Sequence, residues 1–276
     1  MSAEESAAEA AAPAERWRPW QPFTFRGVAR FAGGAWWRLA LMELVVGVLC
    51  GVTVVWFLQK DYAPVILEAA QKMPDGATIT NGMLAGVSET YLSQTRLIAI
   101  AVTPDESTDI GQSADAQIQF RQKNFRVGAV FAPDWGWQFD YGPKTVDVSG
   151  AALEPRWGAW HPVIFAGCGV GMTLAMWVNW AALALVYLAP VKIGAWFADR
   201  RVSLAGAWKF ASAALMPGAF LMMFAIVLYG LELIDLIGLA CFFAGHFVVG
   251  WVYMFGATPF LEHARPAEAK NPFKTE

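Results

Sequence analysis

Residues 157–191 read WGAWHPVIFAGCGVGMTLAMWVNWAALALVYLAPV, a run of 35 without one Asp, Glu, Lys or Arg. The hydrocarbon core of a bilayer is about 30 Å thick, and roughly 20 apolar helical residues cross it. Two further stretches carry no charge either: 210–231, with 22 residues, and 236–261, with 26. A fourth, 36–59, is interrupted only by Arg38 and Glu43 near one end. The chain reads as an α-helical polytopic membrane protein with four transmembrane helices, at 36–59, 157–191, 210–231 and 236–258. Residues 60–156, between helices 1 and 2, remain for a small inserted α+β extracytoplasmic domain.

Composition points the same way. Hydrophobic residues make up 57% of the chain and charged ones 16%, against roughly 25% charged in soluble domains. The chain holds 14 Trp. Trp36, Trp37, Trp56, Trp157, Trp160, Trp196 and Trp208 fall where apolar spans end, the level at which an indole satisfies both its apolar body and its N–H. Trp135, Trp137, Trp177 and Trp180 read as core. The net charge of −3 says nothing about nucleic acid, but with no basic run longer than Arg200 and Arg201 no nucleic-acid partner is expected.

Orientation follows from the bases. Arg16, Arg18, Arg26, Arg30 and Arg38 precede or open the first span, and Lys192, Arg200, Arg201 and Lys209 share the 192–209 loop with one acid, Asp199. The positive-inside rule puts the 1–35 tail, the 192–209 loop and the 259–276 tail in the cytoplasm. Residues 60–156, with 12 acids and 8 bases, then lie outside. The first apolar stretch exceeds the 7–15-residue core of a cleaved signal, so it reads as a signal anchor. The Ala/Glu-rich 2–15 tail reads as disordered or weakly helical. The aromatic- and Arg-bearing segments 16–20 and 23–30 suit the headgroup level, or alternatively a docking partner.

Cys50, Cys168 and Cys241 all sit within spans, so no disulfide framework is expected for 60–156. Their scatter, without a CxxC spacing, offers no metal set. Within 60–156, residues 61–73 have Val65, Ile66, Ala69 and Ala70 at helical spacing, with Pro64 suited to a first turn. Pro74-Asp75-Gly76 closes that helix. The pair Asn81-Gly82 between short apolar arms predicts a type I′ hairpin. Alternation predicts strands at 96–103, 116–121 and 125–131, the last two around a Lys123-Asn124 turn, with shorter ones at 137–141 and 145–148. A mostly antiparallel sheet of four to six strands is expected.

Chemistry-bearing patterns are few. Asp105, Glu106 and Asp109 lack the Gly and the distant Glu of a calcium loop, and read as a solvated acidic loop. Trp135, Trp137, Phe139 and Tyr141 suit either a stacking platform or a core and membrane contact. The histidines are His161, His246 and His263, so no Ser/His/Asp set exists in 60–156. Gly47, Gly51, Gly167 and Gly171 are candidate helix-packing positions, because small residues let helices approach closely in lipid. Pro217-Gly218 is expected to kink the third span. Glu43, Asn179 and His246 are candidates for an intramembrane polar layer at similar depth. Such a layer is either a proton- or ligand-coupled site or interhelical hydrogen-bond glue.

The segment 201–220 (RVSLAGAWKFASAALMPGAF), a basic stretch followed by a span carrying Pro217, resembles the loop-to-helix segment of Yip-type membrane proteins. The order of elements, with the ITNGML hairpin at 79–84 (Ile79, Asn81, Gly82, Leu84), is similar to an uncharacterised bacterial membrane-protein family related to them. The resemblance implies that fold and a bacterial inner membrane, and supplies no catalytic residue or cofactor.

Two functions follow as expectations. The first is a non-enzymatic scaffold or accessory subunit of a larger membrane complex, with the lipid bilayer and other proteins as partners. The second is a small-solute or lipid-handling membrane protein working through Glu43, Asn179 and His246.

Overall fold

The computed structural model describes residues 21–104, 114–130 and 132–264, leaving aside the side chains of 132–135. The tail before residue 21, the acidic-loop residues Asp105, Glu106 and Asp109 and the Trp135 side chain lie outside the described residues. The chain is mostly helical, with a small β-sheet region. Four helical stretches are long and apolar enough to cross a membrane: Trp36–Lys72, Gly150–Val186, Leu204–Gly230 and Leu236–Phe260. The chain forms two compact units: Met1–Val46, Met176–Leu221 and Phe243–Glu276 make the first, Gly47–Ala175 and Met222–Phe242 the second.

In the first unit, α1 (Phe25–Gly33) starts at Thr24, whose hydroxyl accepts from Gly27 N at 3.1 Å. Its apolar residues Val28, Ala29 and Phe31 are buried in protein. This segment therefore packs as an amphipathic helix. The same unit contains the first part of α2 (Trp36–Phe57), the second part of α4 (Gly150–Val186), α5 (Leu188–Phe197), most of α6 (Leu204–Gly230) and most of α7 (Leu236–Ala257). A run of α6 residues from Gly206 to Ala219 is almost wholly buried. Half of them are Ala or Gly, so neighbouring chain can approach closely. A Cβ on Gly206 would lie 3.0 Å from the carbonyl oxygen of Ala32, and one on Gly218 only 2.7 Å from that of His246. Helical backbone continues through Pro217, and Gly218 lies at this close approach to α7. Lys209, buried, reaches past the Trp36 ring to donate to Gly34 O at the end of α1.

In the second unit the remainder of α2 continues through a wider π-helical turn, Leu58–Tyr62, into α3 (Ala63–Lys72), with Pro64 in its first turn. The expected hairpin is present: Asn81 (φ 53°) and Gly82 (φ 74°) join β1 (Thr78–Thr80) to β2 (Met83–Ala85), with Thr80 opposite Met83. The strand β8 (Val146–Asp147) pairs on the other edge of β1.

The main sheet has the order β3-β4-β5-β6-β7. Its strands are β3 (Thr90–Gln94), β4 (Ile98–Val102), β5 (Ala116–Phe120), β6 (Asn124–Ala129) and β7 (Ala132–Asp140). All pairs are antiparallel except β4 with β5. Helix α3 packs on it, burying Val65, Ala69 and Met73 against Leu92, Ile98, Ile100 and Val102.

Several expectations shift. The β5–β6 turn is Gln122-Lys123, one residue earlier than expected, since Arg121 N donates to Asn124 O and Phe120 faces Phe125. The strand β3, with its mixed sequence TYLSQ, lacked a clear alternation. Helix α4 begins at Gly150, seven residues before the charge-free run, because Glu154 and Arg156 stop an apolar span but not a helix. For the same reason α5 and the start of α6 occupy much of 192–209. Of the tryptophans assigned to the core, Trp180 is buried, whereas Trp137 is 70% exposed and Trp177 39%.

Candidate functional site

Side chains alternate across a strand, so the register sorts the main sheet into two faces. Paired across one face are Ile100 with Ile118, Ile118 with Val127, and Val127 with Trp137. A second row joins Val102, Phe120, Phe125 and Phe139. The face is continuously apolar over four strands. Helix α3 covers its β3–β4 end, where the core residues are buried. At the other end Phe125 and Phe139 stack with ring centroids 4.8 Å apart, and Phe139 and Trp137 stay 48% and 70% exposed. The face thus ends on β7, nine residues long and paired on one side only. An unpaired edge of that length is an open template for another strand.

Under α3 the same face borders a cavity of about 360 Å³. Its wall includes Met73, Ile100, Phe120 and Leu153, with Trp157 and Trp160 from the first turns of α4. Arg156 is the one charged lining residue, and its Nη1 donates to the carbonyl of Asp147 at 2.9 Å. At the neighbouring sheet corner the Tyr141 hydroxyl donates to Arg121 O at 3.0 Å, and burial pushes its pKa above the ordinary tyrosine value.

Among the described residues no hydrogen bond joins Glu43, Asn179 and His246 to one another. Glu43 accepts from the hydroxyl of Ser212 on α6. His246 is occupied within its own helix: Nδ1 meets the Phe243 carbonyl, and the ring lies against Phe243 and Phe247. Asn179 is exposed. The polar partner that sequence reasoning missed is Ser212, whose small hydroxyl inside an Ala-rich run gave no signal of its own.

Gly47 and Gly51 do lie at a helix contact. Thr173 Oγ1 of α4 donates to Gly47 O at 3.2 Å and to Gly169 O at 3.0 Å. A Cβ on Gly51 would sit 2.6 Å from Gly169 O. The facing glycine is Gly169; Gly167 and Gly171, two positions to either side of it, have open space beside them. Helical geometry explains this, since residues two apart project from different sides of the helix.

Among the described residues no group of His, Cys, Asp and Glu is placed to hold a metal ion. Compared with known proteins, the chain matches no protein-family model, no curated protein and no solved structure.

Proposed function

We propose that the chain is a polytopic membrane protein without a catalytic role, acting as a scaffold or accessory subunit that holds a partner protein on the bare half of its sheet face. The observation that carries this reading is the apolar face that α3 covers at one end and leaves open at β6 and β7, with Trp137 70% exposed. Exposed aromatics beside a free edge suit a partner that adds a strand, since main-chain bonds give affinity and the rings specificity. The distribution of bases supports cytoplasmic termini and an outer location for 60–156, and the Yip-type resemblance supports a bacterial inner membrane. Cysteines introduced at Lys144 and at Arg201 into a chain without native cysteines should react with an impermeant reagent from opposite sides.

A second reading, lipid or small-solute handling, draws on the cavity of about 360 Å³ rather than on the Glu43, Asn179 and His246 set. One experiment separates the two. A photo-crosslinking residue is placed in turn at Trp137, Gln138 and Phe139 in living cells. The docking reading expects positions 137 and 139 to capture the same polypeptide and 138, on the opposite face, to miss it. Capture of lipid alone at 137 and 139 favours the second reading, and capture of nothing at either removes the first.

A further inference from the structure

At one end of the first unit a cavity of about 850 Å³ opens between α1, α5, the turn after α5 and the segment following α7. Four bases line it, Arg30, Lys192, Arg200 and Arg201, and one acid, Glu262. Two of the bases are held by backbone alone. Lys192 Nζ donates to Val202 O and Arg200 Nη1 to Leu261 O, each at 2.8 Å. Short antiparallel pairing fixes the wall: Arg200 bridges His263, and Arg201 N donates to Glu262 O. Among the described residues, Lys192, Arg200 and Arg201 form no ion pair with a carboxylate.

Arg200 carries a further mark. Its Nε is buried and has no hydrogen-bond partner among the described residues, although buried donors are nearly always satisfied. A guanidinium presents five donors in a planar fork that matches phosphate oxygens. Ser203, also in the wall, accepts from Gly206 N at 3.0 Å as it starts α6. The positive end of that 27-residue helix therefore adds to the field. At the rim Trp196 is 74% exposed and Phe260 45%. Lys192, Arg200 and Arg201 without an ion pair among the described residues, a buried guanidinium nitrogen without an acceptor there and exposed rings in the lining are complementary to a phosphate group carried on an apolar body.

We propose that this cavity binds phosphate, most favourably as the phosphodiester headgroup of an anionic lipid, with Arg200 and Arg201 as the recognising side chains and Trp196 and Phe260 beside the acyl chains. Basic pockets between membrane helices take such headgroups. The phosphate chemistry is independent of the partner-docking reading, and only its lipid form requires the helices to sit in a bilayer.

The test uses the full-length chain in an uncharged detergent, with bound lipid counted by native mass spectrometry and stability followed by thermal shift. Phosphatidylglycerol, phosphatidylcholine, glycerol phosphate and inorganic phosphate are added separately. The expected result is retention of phosphatidylglycerol over phosphatidylcholine by about tenfold or more, a difference of about 1.4 kcal/mol. Arg200→Gln and Arg201→Gln should each erode that preference, while Lys144→Gln in the sheet region should not. Among the described residues Arg201 makes no side-chain hydrogen bond to the wall, so its variant remains informative if loss of the Arg200–Leu261 bond loosens the turn. Saturable stabilisation by glycerol phosphate or inorganic phosphate, with no lipid preference, keeps the phosphate site and assigns it a soluble ligand. Equal retention of both lipids with no phosphate effect overturns the proposal, as does a preference unchanged in both arginine variants.

Discussion

The hydroxyl of Tyr229, in the last turn of α6, donates to the carboxylate of Asp115 at the start of β5, 2.6 Å away. Arg96 completes the joint. Its Nη2 reaches the carbonyls of Tyr229 (3.4 Å) and Ile234 (3.2 Å), its guanidinium lies 5.4 Å from the Tyr229 ring centroid, and Nη1 is 4.0 Å from the Asp115 carboxylate. Lys60 adds a bond to Gly230 O. Within the second unit the sheet, through Asp115 and Arg96, and the wide turn, through Lys60, are thereby tied to the end of α6 and the turn that follows it.

Tyr229→Phe keeps the ring, and with it the contact to Phe57, but removes the hydroxyl. A hydrogen bond to a charged group contributes about 1.5–3 kcal/mol; the Asp115 carboxylate keeps some contact with solvent, so a loss of about 1–2 kcal/mol is expected. Thermal unfolding of the full chain in detergent measures it. An unchanged midpoint would show that the Tyr229–Asp115 bond contributes nothing to stability.

Gly51→Leu should destabilise the packing of α2 on α4 by about 2–4 kcal/mol, because the new side chain meets backbone rather than a movable group. Gly167→Leu and Gly171→Leu, with open space beside them, should stay within about 0.5 kcal/mol of the parent. Equal losses at all three positions would contradict the Gly51–Gly169 contact.

At the hairpin, Gly82→Val forces a branched side chain into a backbone with φ 74°. A cost of about 1–2 kcal/mol is expected from the left-handed penalty alone. Gly82→Ala should lie between parent and Val, and a Val variant as stable as the parent would be incompatible with a positive φ.

Asp147 gives the chain a pH-dependent contact. Hydrogen bonds from the side chain and then the backbone N–H of Ser149 hold its carboxyl below the ordinary value of 3.8. A carboxyl with a depressed folded-state pKa stabilises the fold above its unfolded value and loses that contribution as pH falls through the folded one. Asp147→Asn should therefore lower the melting temperature at neutral pH, and the gap to the parent should close on acidification below 3.8. A gap that is constant with pH would assign the effect to shape rather than charge.

Much of the architecture was legible because it rests on local rules. Charge-free runs give the apolar helices, and Asn81-Gly82 gives its hairpin because few other pairs tolerate two positive φ angles. The features missed depend on partners distant in the chain. Alternation alone made Trp137 look like core, yet its exposure is decided by where α3 stops covering the sheet. Gly167 and Gly171 look equivalent to Gly169 in a GxGxG run, and only the facing Gly51 distinguishes them. Glu43, Asn179 and His246 are placed at similar depth by counting residues, yet the bonds found are Glu43 with Ser212 and His246 with Phe243. Depth follows from counting residues; direction requires knowing which helix is central, and the Ala-rich α6 shows no stronger periodicity than its neighbours.

The wide turn at Leu58–Tyr62 has a consequence for how this stretch tolerates change in length. Such a turn holds one residue more than an ordinary helical turn, so it behaves as an insertion already absorbed. Loss of Gln59, which is exposed, would let the turn close to α geometry while Val65, Ala69 and Met73 keep facing the sheet. Loss of one residue from the regular helix before it, at Thr53 for instance, would instead turn everything that follows by about 100°. Length variation between the apolar helix and the sheet is thus buffered at one place in the chain, and the phase of α3 is set independently of the phase of α2.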